Sequence, residues 1–108
     1  MADPSMILDT LRSQAKSQQI RVTQHAQEEM TQESILLDQV IQAINTAQIL
    51  ENYPNHRRGA CCLLHGVDAT GRDIHIVCTT SRNLLIIITV YLPTLPKWVS
   101  PTQRSKTS

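Results

Sequence analysis

The clearest periodicity in the chain runs through Leu37, Val40, Ile41 and Ile44, whose i, i+3, i+4, i+7 spacing lays one apolar stripe along a helix. Ser34 precedes that helix as a capping residue, and the period ends near Asn45. Upstream, Ile7, Leu8, Leu11 and Ala15 repeat the pattern behind Asp3 and Pro4, which suit an N-cap and a first helical position. Ile20-Arg21-Val22 reads as a short extended piece. Thr23 then caps a brief helix from about Gln24 to Met30, with Glu28 and Glu29 towards its N-terminal end.

From Gln48 the period switches to two and β-branched residues accumulate, which predicts strands over 49–53, 60–67, 72–80 and 84–91. Turn chemistry separates them: Pro54-Asn55, Asp68-Ala69-Thr70-Gly71 and Ser81-Arg82-Asn83. Helices followed by closely linked strands predict an α+β fold, with N-terminal helices packed on one face of a four-stranded antiparallel sheet. The expected organisation is an N-terminal helix over 1–19, a single α+β domain over 20–98, and a disordered tail over 99–108, since prolines 93, 96 and 101 leave that end without a period.

Strand parity decides which side chains share a face. A two-residue loop at the second turn sets Arg72 opposite Val67, Ile74 opposite His65, His75 opposite Leu64 and Cys78 opposite Cys61. A three-residue loop with a left-handed Asn83 brings Thr89 and Tyr91 to the face of Asp73, His75 and Val77. One face then carries Asp73, His75, Thr89 and Tyr91, and the other is apolar and covered by the helices. On this register His75 stands on the uncovered face, in solvent or in a cleft.

Composition narrows the function classes. With Lys+Arg 10 against Asp+Glu 9, the net charge of +1 gives no long-range field for nucleic acid, so any RNA contact must be local. There is no Phe, and Tyr53, Tyr91 and Trp98 are the only aromatic rings available for stacking on bases. The longest apolar run, Leu84 to Val90, is far short of the ~20 residues of a membrane helix. The start MADPSMILDTLRSQ lacks a long apolar stretch, and a cytoplasmic location is expected. Three cysteines cannot pair fully, and Cys61 and Cys62 point to opposite faces of a strand. Without a Cys-x-x-Cys pair neither metal nor cofactor is expected, and apolar strand surroundings push thiols up in pKa rather than activating them.

Three constellations can carry chemistry. His75, with Arg72 and Tyr91, has the groups for acid–base work and for stabilising a phosphate; the alternative is a solvated histidine on a polar sheet face. His25 lies four residues before Glu29, which makes either a local helical pair or an active base. His56-Arg57-Arg58 is a small basic loop, either solvated or phosphate-binding.

Taken in order, RVTQHAQEEM, a capped helix, ILENYPNHRRG, CLLHG, GRDIHIVC and IITVYLP resemble a bacterial group, the domain of unknown function family 4258, over about Ile20 to Trp98. The positions matching that family are His25, Tyr53, Gly66, Gly71, Arg72, His75, Thr89 and Tyr91. The family is similar in layout to RelE and ParE type toxins. The resemblance therefore implies a RelE-like topology, an antitoxin protein as partner, and metal-independent ribonuclease action on RNA or on the ribosome, of mRNA-interferase type. In that reading His75 or His25 abstracts the 2'-hydroxyl proton, Arg72 stabilises the phosphorane, and Tyr91 positions or protonates the leaving group. Tyr53, Arg57, Arg58 and Thr89 contact the substrate. Glu29 and Glu33 depart from the family, whose members often carry arginines in that helix, and they remove positive charge where a ribonuclease needs it. The competing reading is a non-catalytic protein-binding or dimerising module.

Overall fold

The computed structural model describes residues 4–57, 59–80, 83–94 and 97–105. Three helices come first: α1 (Pro4–Lys16), α2 (Gln24–Glu33) and α3 (Leu37–Asn45), with the short strand β1 (Ile20–Val22) between the first two. The strands β2 (Gln48–Tyr53), β3 (Cys61–Val67), β4 (Asp73–Thr79) and β5 (Leu85–Tyr91) follow. A last pair, β6 (Trp98–Ser100) and β7 (Gln103–Arg104), closes the chain.

The fold is α+β, and the sheet corrects the expectation in two ways. It has five strands in the order β1-β5-β4-β3-β2, and β1 joins the edge of β5 in parallel, so the sheet is mixed rather than wholly antiparallel. The crossover is the whole of α2, α3 and the meander, long enough for a parallel connection. Of the tail 99–108, expected to be disordered, residues 99–104 instead form an antiparallel hairpin with Trp98, Trp98 opposite Arg104 and Ser100 opposite Gln103, while 106–108 lie outside the described residues. Local periodicity missed it because its order comes from docking on the sheet.

Helix ends follow their capping chemistry. Thr23 caps α2, its hydroxyl accepting from Ala26 N at 3.1 Å, and the helix runs on to Glu33 rather than stopping at Met30. Ser34 ends α2 instead of starting α3: it takes the left-handed conformation at φ 56°, and its N–H reaches back to Met30 O and Thr31 O. Leu36 fills the N-cap position of α3, its N–H donating to Gln39 Oε1 at 2.8 Å. Asp3, read as the cap of α1, lies outside the described residues.

One face of the sheet meets the helices. Cys62, Leu64, Ile74, Ile76, Cys78, Leu85, Ile87 and Val90 are buried there against Val40, Ala43 and Ile44 of α3 and Ala26 and Met30 of α2. The N-terminal helix, set apart on sequence grounds, shares this core through Leu11 and Ala15, and Arg12 ties it to the end of α3 by donating to Ile44 O at 3.2 Å and, just past the helix, to Ala47 O at 2.8 Å. Gly66 permits the closest approach: a Cβ there would stand 1.9 Å from Ala43 O, so α3 rests on β3 only because position 66 has no side chain.

The register between β3 and β4 differs by one residue from the expected one. Val67 pairs with Asp73, Gly66 with Ile74, His65 with His75 and Cys62 with Cys78, so His75 faces His65 and not Leu64. The loop is longer than two residues because Asp68 organises it. Its Oδ1 accepts from Thr70 N at 2.9 Å, Thr70 Oγ1 at 2.7 Å and Arg72 N at 3.0 Å, and Gly71 supplies φ +87°. Those bonds, led by the Thr70 hydroxyl, hold the Asp68 carboxyl at about 2. Between β4 and β5 the expected grouping holds: His75 pairs with Tyr91 and Val77 with Thr89. Asn83 is not left-handed; among described non-glycine residues only Gln18 and Ser34 have positive φ.

Candidate functional site

Beside the end of β5 lies a cleft of about 590 Å³. Helix α2 supplies one wall with His25, Glu29 and Glu33, β5 supplies the floor with Thr89 and Tyr91, and the C-terminal segment supplies the far wall with Thr94, Lys97, Trp98 and Arg104. The walls differ in charge, acidic on the helix and basic on the hairpin. His25 and Glu29 approach to 3.4 Å, and Glu29 also accepts from Val90 N at 3.0 Å, which fixes the carboxylate against the sheet. The local His–Glu pair read from the spacing is therefore present, and it borders a cleft.

His75 does not open into this space. It shares a face with Tyr91 as expected, but it is 0% exposed and not on an uncovered surface, which corrects the sequence reading. The β6–β7 hairpin seals it. Pro101 O lies 2.6 Å from Nε2, Tyr91 Oη lies 3.1 Å from Nδ1, and the Trp98 ring stands edge-on with centroids 4.3 Å apart. A carbonyl can only accept, so Nε2 carries the proton, and the bare Nδ1 of the neutral ring accepts from the Tyr91 hydroxyl. Burial lowers the His75 pKa despite the Pro101 bond, and burial raises that of Tyr91, so both groups are neutral in the physiological range. A sealed imidazole of this kind cannot reach a substrate hydroxyl.

Arg72 is committed elsewhere. Its guanidinium donates to Asp68 Oδ2 at 3.3 Å, Glu33 O at 3.4 Å, Ser34 O at 3.2 Å and Gln39 Oε1 at 2.9 Å, clamping the β3–β4 turn to the α2–α3 corner. It is not among the residues lining the cleft. Tyr53 donates its hydroxyl to Glu51, and the Glu51 carboxylate receives Arg104 at 2.6 and 2.8 Å. The Arg104 bonds, with a smaller part from Tyr53, hold Glu51 at about 2. Arg57 is exposed and outside the cleft, and Arg58 lies outside the described residues.

Of the expected site residues, the cleft thus gathers His25, Thr89 and Tyr91 and leaves out His75, Arg72, Tyr53 and Arg57. Lys97, Trp98 and Arg104 were missed because they sit in a proline-rich end. The available signal was the sole tryptophan set between two cations with Pro101-Thr102 as a turn. The thiols behave as expected: Cys78 is raised by its bond with Cys62 and by burial, and Cys61 by burial.

The family described as Domain of unknown function (DUF4258) matches residues 22–92, about two thirds of the chain, and the chain belongs to that family. No curated protein and no solved structure matches it. The match covers α2, α3 and β2 through β5, takes in only Val22 of β1, and ends before the strands that cover His75.

Proposed function

We propose that the chain is a protein-binding module whose cleft between α2 and the C-terminal hairpin receives a polypeptide segment of mixed charge, from another protein or a second copy of the chain. The observation that carries this reading is that Glu29 and Glu33 of α2 and Lys97 of the C-terminal segment line the same cleft, in a protein whose net charge is +1. A segment offering a cation to the helix wall and a carboxylate to Lys97 complements both, whereas a phosphodiester backbone meets two carboxylates at the helix wall. The commitment of His75 and Arg72 to structural bonds also favours binding over catalysis.

A metal-independent, RelE-like ribonuclease remains the second reading, favoured by one feature: the His25–Glu29 pair borders the same cleft as the Tyr91 hydroxyl. In it His25 is the base, oriented by Glu29, and Tyr91, kept protonated by burial, is the acid. Expressing the chain alone in bacteria separates the two. The binding reading predicts normal growth and intact messenger RNA. Growth arrest that His25→Ala or Tyr91→Phe relieves would replace it with the ribonuclease.

A further inference from the structure

The hairpin and the family-matched sheet meet in an unusual way. Beneath β6–β7 lies His75 with the Tyr91 hydroxyl on its ring; on the same face His65 pairs with the half-open Asp73 at 2.8 Å, and the apolar Leu63 is buried there. Most of the sheet's buried apolar side chains lie on its other face, where the helices sit.

The hairpin's hold on this surface is slight. Its strands have three and two residues with a register shift between them, below what an isolated hairpin needs to persist. Its outer tether is the Arg104–Glu51 ion pair, whose side chains are 47% and 28% exposed, so water screens it. The Trp98 indole is held beside the Tyr91 hydroxyl, where its N–H favours that group's ionised form. The cleft of about 590 Å³ remains between the hairpin and α2. A closely packed core layer would have closed the gap.

We propose that the C-terminal hairpin is a strap that occupies the polar face of the sheet in cis, opening without unfolding the domain and uncovering His75, His65 and Tyr91 as a second functional face. Closed, the strap presents a backbone carbonyl to His75, a tryptophan edge to the same ring and an arginine to Glu51. These are the contacts an extended peptide makes, so the face is suited to a polypeptide carrying a Trp and an Arg at similar separation, with which the strap competes. The strap also supplies the far wall of the cleft, so its opening dismantles that site; His75 reactivity, read without any cleft ligand, tests the strap independently of what the cleft binds.

Modification of the full-length chain by diethyl pyrocarbonate, mapped to each histidine, tests it. Exposed His25 serves as the internal standard. Wild-type His75 is expected to react slowly but at a finite rate while β3 to β5 stay protected from hydrogen exchange. Arg104→Gln removes the tether and is expected to raise the His75 rate roughly five-fold; Trp98→Ala, which also removes the indole, is expected to raise it further. In both variants exchange in β3 to β5 is expected to stay far slower than modification of His75. If His75 reacts only when the β3 to β5 amides also exchange, or if its rate is unmoved in both variants, the hairpin is a fixed part of the domain and the strap is rejected.

Discussion

The two faces of the central sheet are covered by different physics. On the helix side, Leu64, Ile76, Ile87 and Val90 are 0% exposed and interlock with α3 so closely that Gly66 cannot carry a methyl group. On the hairpin side, the cover rests on a tryptophan edge, a carbonyl on His75 and a surface ion pair, and it leaves a cleft. Burial fraction alone does not separate them: His75 and Ile76 are both 0% exposed. What differs is the free energy needed to uncover each, which depends on apolar area and on how many polar groups lose partners.

The largest effect is expected on the helix face. Gly66→Ala places a Cβ 1.9 Å from a backbone oxygen that cannot rotate away, so α3 must lift from β3. Overpacking usually costs ~1–3 kcal/mol, and a backbone clash is expected at or above the top of that range in urea denaturation. Ile76→Ala is next, at ~2–5 kcal/mol for a buried branched side chain with no room to collapse. If Ile76→Ala costs less than Trp98→Ala, the contrast between the faces is wrong.

Trp98→Ala is expected to cost ~1–2 kcal/mol on denaturation of the sheet, well short of the ~3–5 of a core tryptophan, because opening of the strap limits the loss. Arg104→Gln is smaller still, ~0.5–1 kcal/mol, since the pair is partly exposed; high salt is expected to reproduce much of it. Only the expected His75 reactivity separates these variants from inert surface changes.

The smallest effect is on pH dependence. Burial first, then His65 and Arg104, hold the His75 pKa below its ordinary 6.5, against the Pro101 bond and Asp73. A depressed histidine stabilises the closed strap fully above 6.5 and loses that contribution as the pH falls below it. Acid therefore favours the open state. The Glu51–Arg104 tether is spared over the same window, because Glu51 titrates at about 2. Emission from the single tryptophan is expected to shift red below pH 6.5 before the far-ultraviolet signal changes.

The helix face was legible in the sequence. The Leu37, Val40, Ile41, Ile44 stripe and the alternation through 74–78 specify an apolar layer by period alone, and strand and helix bounds agree to within a few residues. That Tyr91 shares a face with His75 was legible too, because the third loop keeps parity, although the expected loop sets Thr89 rather than Tyr91 directly opposite. The β3–β4 register was not: Asp68 bonds to three groups of its own loop and lengthens the turn, an interaction that residue types hint at but spacing does not fix. Nor could a local reading find β1 beside β5 or the hairpin over His75, since both are long-range contacts of segments three residues long or shorter. The site reading failed at His75 for that reason. The side chain pointed the right way, and the chain end came back to cover it.

Native-state amide hydrogen exchange across low urea concentrations measures the contrast most directly. The Trp98 and Ser105 amides, bonded to Thr94 O at 3.1 Å and Lys97 O at 2.8 Å, are expected to exchange through a small opening that barely depends on urea. Amides of Leu64 and Ile76 are expected to exchange only through global unfolding, with its full urea dependence. A single opening free energy and a single urea dependence shared by all four would mean that both faces are uncovered together, and that the hairpin is core rather than cover.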